Sequence, residues 1–238
     1  VTGSSKGIGR AIVKKMVLNG AIVYANARER GSLDGLVEEV ENLNKGRVIP
    51  VYFDVTNFDE VKKAILTIKK ESGTLDVLVN NAGTVSYEVL GMVNFDHFRT
   101  MMEVNVISVV NLMQLAVKLM KRKKSGSIIN ISSIVGEKGS KGQLSYSATK
   151  GALSSLTKSA SKDLAEYNIR VNAIAPGMIG TERLKKIVEN KFNDKVNDIG
   201  LGRLGFPEEV ADACLFLASD SSTYMTGQVI QLEGSLKI

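Results

Sequence analysis

The sequence contains few of the residues that build disulfides, metal clusters and stacking surfaces. It has one cysteine, one histidine and no tryptophan in 238 residues, and 5% of its residues are aromatic. The lone Cys214 cannot close an intramolecular disulfide or a thiolate metal cluster, which fits a reducing, cytoplasmic compartment. His97 shows no partner acid or thiol, so we expect it to be structural and expect no metal site. Scarce aromatic rings offer nucleic-acid bases little to stack on.

Long apolar runs and a strong charge imbalance are also lacking. No apolar run reaches the roughly 18 residues that span a bilayer, and the start Val1-Thr2-Gly3 has no leader pattern. The net charge of +6 fits an anionic ligand, an acidic partner or simply a solvated lysine-rich surface, which we take first. With 44% hydrophobic residues, 22 glycines and only 3 prolines, the chain is neither disordered nor collagen-like.

Short runs rich in Val and Ile alternate with longer segments of helical period. This alternation is typical of parallel strands joined by crossover helices. It predicts an α/β fold: a three-layer, doubly wound parallel sheet of the Rossmann type in a single domain over residues 1–238. The predicted strands are Ala21–Ala25, Val48–Phe53, Val77–Val79, Ser127–Ile131, Val171–Ala175 and Gln228–Leu232. The predicted helices are Gly9–Asn19, Leu33–Asn44, Asp59–Glu71, Asp96–Lys121, Tyr146–Glu166 and Pro207–Ala218.

The chain opens directly on a glycine turn, without the central strand that should precede it. We therefore expect residues before Val1 in the native protein.

Two helices also stand out. The apolar residues of 95–121 leave no continuous polar face, which predicts burial on all sides, and 146–167 is rich in small residues. Together they indicate a subunit interface, in a homotetramer or homodimer, or burial within one chain.

A glycine-rich turn, Thr2 to Arg10, leads into the first helix. Gly3 and Gly7 would let the backbone approach a pyrophosphate, and Gly9 would let helix and strand pack closely. After the second strand the chain reads Ala25-Asn26-Ala27-Arg28-Glu29-Arg30. Because no acid precedes Arg28 to bind a ribose 2′-hydroxyl, and Lys6 adds a cation, this stretch favours NADP over NAD. The alternatives are a simple tight turn and a solvated arginine.

A third group of residues joins Ser133 to Tyr146 and Lys150. A Tyr and a Lys four residues apart share one helix face, so the ammonium should lower the pKa of the phenol from about 10. Tyr146 could then donate a proton to a carbonyl oxygen, with Ser133 holding that oxygen. For any single Tyr-x-x-x-Lys pattern, the alternative explanation is an ordinary contact between the two side chains on the helix surface.

The motifs in this order resemble the classical short-chain dehydrogenases/reductases over almost the whole chain. The matching residues are Thr2-Gly3-x-x-x-Gly7-Ile8-Gly9, Asp54-Val55, Asn80-Asn81-Ala82-Gly83, Asn105, Ile131-Ser132-Ser133, Tyr146-x-x-x-Lys150 and Pro176-Gly177. The resemblance implies four catalytic residues: Asn105, Ser133, Tyr146 and Lys150. It also implies NADP(H) binding by Gly3, Ser4, Ser5, Lys6, Gly7, Ile8, Gly9, Arg28, Asp54, Val55, Asn81, Ala82, Gly83, Tyr146, Lys150, Pro176, Gly177, Ile179 and Thr181. Asn105 would interrupt its helix and support proton resupply.

Within that family the sequence is most similar to the 3-oxoacyl-[acyl-carrier-protein] reductases. The resembling stretches are 142–152, 169–177 and 202–210. An acidic carrier protein would suit the basic run Lys121 to Lys124, although Tyr167 stands at a second, usually basic position. Leu232-Glu233-Gly234-Ser235 also departs from the family pattern, which affects how the last strand packs. Residues 182–204 read as an amphipathic lid that selects the substrate.

The expected activity is NADPH-dependent reduction of a 3-oxoacyl thioester on acyl carrier protein. A reductase of a sugar, polyol or other small carbonyl is the alternative enzyme, and a catalytically silent NADP-binding regulatory protein is the alternative from another class. The intact set of Asn105, Ser133, Tyr146 and Lys150 argues against the silent protein.

Overall fold

The computed structural model describes residues 1–41, 45–184 and 193–237. The strands are β1 (Ile22–Ala27), β2 (Arg47–Tyr52), β3 (Val77–Asn80), β4 (Gly126–Ile131), β5 (Ile169–Pro176) and β6 (Val229–Leu232). The helices are α1 (Gly7–Leu18), α2 (Asp34–Glu41), α3 (Phe58–Ser72), α4 (Phe95–Met102), α5 (Ser108–Lys123), α6 (Ile134–Lys138), α7 (Leu144–Leu164) and α8 (Pro207–Ala218). A π-helical turn, Glu103–Ile107, joins α4 to α5, and short 3₁₀ turns cover Ala165–Tyr167, Asn193–Asp198 and Asp220–Ser222.

All paired strands run parallel. β1 pairs with β2, and β3, β4, β5 and β6 pair in that order. The first residues of the chain lie between the two groups: the Asn26 N–H donates to the Val1 carbonyl at 2.9 Å, and the Thr2 N–H donates to the Val79 carbonyl at 3.0 Å. Strand order therefore reverses where residues 1–4 meet β3. This arrangement confirms the predicted α/β fold.

Helices cover both faces of the sheet. On one face, α1, α2 and α8 bury residues such as Ile12, Leu36 and Leu217 against the sheet. On the other face, α3, α5 and α7 bury a second core that includes Leu112 and Leu153. Fully burying one such side chain contributes about 1.5–3 kcal/mol. Strands covered on both faces explain the nearly continuous apolar runs of the sequence.

The prediction that 95–121 is buried on all sides was wrong. The stretch is α4, the π-helical turn and α5, and Phe95 is 65% exposed while Ile107 is 39% exposed. By length and composition alone Phe95–Lys123 could cross a membrane, but its inward face, with Met113 and Met120, packs in the second core. Apolar composition overestimates burial here because the outer side of a core helix can also be apolar.

Several small residues of α7 make contacts inside the chain. A Cβ at Gly151 would lie 3.2 Å from the Gly136 carbonyl oxygen, and Ser154 and Ser161 are buried. Ala148 and Ser155 remain exposed. The sequence left two explanations for the small residues, a subunit interface or burial within one chain. Burial within one chain accounts for Gly151, Ser154 and Ser161.

Candidate active site

A cleft of about 640 Å³ opens at the carboxyl ends of the strands. It lies where strand order reverses, which is where ligands bind in open parallel sheets. Its walls come from the glycine turn, the ends of β1 and β3 to β5, the start of α7 and residues 181–184. Every residue expected to bind the cofactor lines this cleft except Ser4. Ser4 is buried and uses its groups elsewhere: its hydroxyl donates to the Val1 carbonyl and its N–H to the Asn26 carbonyl, both at 2.8 Å.

The glycine turn has no room for side chains. Gly3 has a φ of +65° and a Cβ there would lie 2.9 Å from the Cα of Ala82. A Cβ at Gly9 would lie 2.2 Å from the Gly3 carbonyl oxygen. The first turn of α1 follows directly, and Lys6, its N-cap, makes no side-chain capping bond. Open backbone and uncapped N–H groups at a helix start fit the pyrophosphate of a dinucleotide.

Polar side chains hold this turn against β3. The N–H groups of Asn81 and Ala82 both donate to the Thr2 hydroxyl at 3.0 Å. The Asn81 side-chain amide donates to the carbonyls of Thr2 at 2.9 Å and Gly3 at 3.0 Å. Asn81 therefore stabilises the wall of the cleft, and its side-chain amide is directed to the protein backbone.

Arg28 and Asp54 lie at the far end of the cleft, after β1 and β2. Burial tends to raise the pKa of the Asp54 carboxyl. Hydrogen bonds from Thr56 and the charge of Arg28 together outweigh that effect, so the pKa of Asp54 lies below its usual value. The Thr56 N–H and hydroxyl donate to Asp54 at 2.9 and 2.7 Å. Arg28 is exposed and lines the cleft. An exposed cation here fits a ribose 2′-phosphate.

Ser133, Tyr146 and Lys150 meet at the other end of the cleft. Ser133 follows β4 and caps α6, and Tyr146 and Lys150 lie one turn apart on α7. The two helices approach closely because residue 136 is glycine: a Cβ at Gly136 would lie 2.6 Å from the carbonyl carbon of Lys150. The Ser133 hydroxyl and the Tyr146 phenol both line the cleft, and Ser133 lies close enough to Tyr146 to influence the pKa of its phenol.

The expected lowering of the pKa of the Tyr146 phenol was wrong. Burial raises the pKa of Tyr146 to about 12, against the opposing effects of the Ser133 hydrogen bond and the Arg183 charge. The Lys150 ammonium lies 5.8 Å from the centre of the Tyr146 ring and donates to the Ile131 carbonyl at 2.7 Å. Sequence spacing placed the two residues on one face but did not reveal that the ammonium is directed to β4.

Burial lowers the pKa of the Lys150 ammonium from 10.5 to about 8. The folded protein therefore binds this proton less tightly than the unfolded chain, and the linked stability rises as pH increases from about 8 to 10.5. The gain is on the order of 3 kcal/mol.

Denaturant unfolding of the protein and of Lys150→Met as a function of pH measures this gain in the free energy of unfolding. The advantage of the methionine variant should shrink over that pH range, and a constant difference would contradict the shift.

Asn105 lies behind the cleft, fully buried in the π-helical turn. Its side-chain oxygen accepts from the Thr84 N–H at 2.8 Å, and its amide donates to the Thr84 carbonyl at 2.8 Å. The predicted interruption of the helix at Asn105 is thus a π-helical turn. The side chain itself holds the loop after β3 and does not line the cleft.

Other residues of the site had no signal in the sequence. Tyr87 and Arg183 both line the cleft near Tyr146, but neither belongs to a motif.

His97 pairs with Glu88, with its Nδ1 2.9 Å from the carboxylate, so the expectation of no partner acid was wrong. Cys214 is buried in the core, as predicted, and burial raises the pKa of its thiol.

The predicted lid is described only in part. Residues 185–192 lie outside the described residues, so its amphipathic character is untested. Near the start of the predicted lid, Leu184 lines the cleft. Near its end, Ile199 is buried with Ile134 and Leu236. The final strand pairs normally with β5 despite the unusual sequence at 232–235, and the Gly177 N–H donates to the Leu232 carbonyl at 2.9 Å.

A serine and a tyrosine hydroxyl beside a buried lysine, in a cleft that a glycine-rich turn also lines, can handle the proton and the charge of an alcohol or carbonyl. The fold and the site together define an oxidoreductase of CH–OH and C=O groups. Residues 3–236 match the family model described as enoyl-(acyl carrier protein) reductase. The chain belongs to the short-chain dehydrogenase/reductase family.

Full-length relatives support this membership. The chain is 42% identical over 238 residues to the 3-oxoacyl-[acyl-carrier-protein] reductase FabG of Thermotoga maritima, covering 100% of the chain and 96% of that protein. It is 36% identical to a 3alpha-hydroxysteroid dehydrogenase of Mediterraneibacter gnavus, covering 100% and 95%. Among solved structures, YwfH, an NADPH-dependent reductase involved in bacilysin biosynthesis, superposes with a TM-score of 0.94 at 28% identity, covering 100% and 97%.

Proposed function

We propose that the protein reduces 3-oxoacyl thioesters on acyl carrier protein to 3-hydroxyacyl thioesters with NADPH. The observation that carries the proposal is the meeting of Ser133, Tyr146 and Lys150 in the cleft that the glycine turn also lines. The name of the Thermotoga maritima relative supports the thioester substrate. The name of the YwfH structure supports the cofactor.

The residues of the cleft suit the phosphates and the nicotinamide side of the cofactor. Gly3, Gly7 and the start of α1 would hold the pyrophosphate, and Arg28 the 2′-phosphate. Pro176, Gly177, Ile179 and Thr181 would cover the nicotinamide side, and Lys150 would hold its ribose. When bound, NADPH supplies the hydride.

The residues of the site then handle the carbonyl oxygen. The phenol of Tyr146, with its pKa raised to about 12, is protonated at neutral pH and is therefore available as a proton donor. Ser133 would bind the same oxygen and orient it. Lys150, as a buried cation, would stabilise negative charge that develops nearby. Asn105 would act indirectly, by holding the loop at Thr84.

A basic edge supports an acidic carrier as the partner. Within the run 121–124, Arg122 and Lys124 are exposed. Lys121 lies 3.6 Å from the ring centre of Tyr167, and Lys123 pairs with Asp76 at 2.5 Å. Tyr167 thus keeps a cation close to the position where a basic residue was expected.

Assembly and location follow as further parts of the proposal. The partly exposed apolar side of 95–121 supports a homotetramer or homodimer built on this stretch and on 146–167. A reducing, cytoplasmic location accords with the single, buried Cys214.

NADPH oxidation with acetoacetyl thioesters of acyl carrier protein and of pantetheine tests the proposed function. We expect turnover of both, with the carrier-bound substrate having the higher kcat/KM. NADPH binding without turnover of any carbonyl would instead support the silent regulatory protein. Turnover only of small ketones or sugars would support the alternative reductase.

One comparison favours a specific form of that alternative. The Mediterraneibacter gnavus relative is named as a steroid dehydrogenase, at 36% identity over the whole chain. A 3-oxosteroid therefore belongs in the substrate panel beside the thioesters. A steroid kcat/KM above that of every thioester would replace the proposed substrate.

Charge reversal at Arg28 tests the cofactor assignment. Arg28→Glu removes a cation from the cleft and adds an anion, so we expect the ratio of NADPH to NADH affinity to fall by roughly 10- to 100-fold, the effect of losing one charge-assisted contact. Arg30→Glu is the matched control, because Arg30 lies over the Tyr52 ring, 5.9 Å from its centre, and does not line the cleft. Equal changes in both variants would show that Arg28 does not bind the 2′-phosphate.

A further inference from the structure

Thr149, between Tyr146 and Lys150 on α7, is fully buried and uses both hydrogen-bonding functions of its hydroxyl. It accepts from the Asn105 side-chain amide at 3.0 Å and donates to the Tyr146 carbonyl at 2.8 Å. A hydroxyl has a single proton to donate. Thr149 is thus a fixed link between the π-helical turn and the start of α7.

Asn105 completes the link on the other side. Its amide donates to the Thr84 carbonyl and its oxygen accepts from the Thr84 N–H, so with the bond to Thr149 the side chain makes three hydrogen bonds in all. Gly83, which precedes Thr84, packs between Asn105 and Lys150: a Cβ at Gly83 would lie 3.3 Å from the Asn105 side-chain oxygen and 3.6 Å from the Lys150 ammonium. The network therefore connects the wall of the cleft at 82–84 to the helix that carries Tyr146 and Lys150.

A second threonine on α7 makes hydrogen bonds of the same kind away from the cleft, to an asparagine amide and to a carbonyl of the preceding helical turn. Thr157 is fully buried, accepts from the Asn130 amide at 2.9 Å and donates to the Leu153 carbonyl at 2.8 Å. The Asn130 oxygen accepts from Asn80 at 2.8 Å. Thr157, Asn130 and Asn80 do not line the cleft. The two threonines differ in what they connect and not in their local chemistry.

We propose that Thr149 is a positioning residue for the reduction: its hydroxyl fixes Tyr146 and Lys150 relative to Asn105 and the cleft wall at 82–84. The proposal rests on the proposed function. Without the hydroxyl, the buried Asn105 amide loses a partner and the start of α7 loses its tie to the π-helical turn. A shift of the proton donor of even 1 Å lowers turnover by roughly 100-fold.

Three variants test this role. Thr149→Val keeps the shape and removes the hydroxyl, Thr149→Ser keeps the hydroxyl, and Thr157→Val makes the matched loss two turns along the same helix. We expect Thr149→Val to lower kcat by roughly 10- to 100-fold with little change in thioester KM. Thr149→Ser should restore most of it, and Thr157→Val should keep the kcat of the unaltered protein. Both valine variants should lower the melting temperature by similar amounts.

NADPH affinity gives a readout that does not depend on turnover. Because Gly83 and Lys150 line the cleft beside this network, Thr149→Val should weaken NADPH binding, measured by nucleotide fluorescence, and Thr157→Val should not. Equal effects of the two valine variants on kcat and on NADPH affinity would overturn the positioning role. If no carbonyl is turned over, the proposed function fails, while the NADPH contrast between the two variants still decides the role of Thr149.

Discussion

Tyr146→Phe is expected to lower the kcat for carbonyl reduction by roughly 1000-fold, within the range that a positioned proton donor contributes. The substitution removes one oxygen and leaves the ring that fills the cleft wall. The phenol lines the cleft together with Ser133, and its raised pKa keeps it protonated over the whole neutral range. Steady-state NADPH oxidation measures the loss, and NADPH affinity should change little.

Tyr87→Phe is the matched control for this prediction. Tyr87 lines the same cleft and lies close enough to Tyr146 to raise the pKa of its phenol. We expect this variant to retain most of its activity, because no hydrogen bond or ring contact among the described residues joins Tyr87 to Ser133 or Lys150. If instead Tyr146→Phe remained active and Tyr87→Phe did not, the proton donor would be Tyr87.

Gly9→Ala is expected to weaken NADPH binding by roughly 100-fold and to destabilise the fold, since overpacking a close contact costs about 1–3 kcal/mol or more. The added methyl group would lie 2.2 Å from the Gly3 carbonyl oxygen and 2.6 Å from the Asn81 amide. Backbone atoms cannot turn aside as side chains can. The start of α1 would have to move away from the glycine turn.

Gly35→Ala provides the comparison, because it adds the same methyl group to another helical glycine. At Gly35 the nearest neighbour of an added Cβ is a flexible Arg10 nitrogen, 4.0 Å away. Alanine should stabilise α2 there by up to about 1 kcal/mol and leave NADPH binding unchanged. Isothermal titration and thermal unfolding of both variants make the test. A Gly9→Ala protein with normal affinity would show that the turn is not the phosphate site.

The sequence by itself determined the class of fold and predicted most of the residues that line the cleft. Strand runs such as Val171–Ala175 and helix periods such as Pro207–Ala218 are local patterns, and local spacing predicts local structure. The glycines at 3, 7 and 9 were informative for the same reason, since only a residue without a side chain suits a backbone that must approach a ligand. Tyr146 and Lys150 were placed together because four residues make about one helical turn.

Only the tertiary structure decided how those residues are held and how they titrate. Thr149 and Asn105 are 44 residues apart in sequence, and Gly136 meets Lys150 across two helices, so no spacing rule could join them. Burial, which depends on every element packed around a group, raises the pKa of Tyr146 and lowers that of Lys150. Desolvation and long-range contacts are properties of the packed molecule, whereas periodicity and motif order belong to the chain.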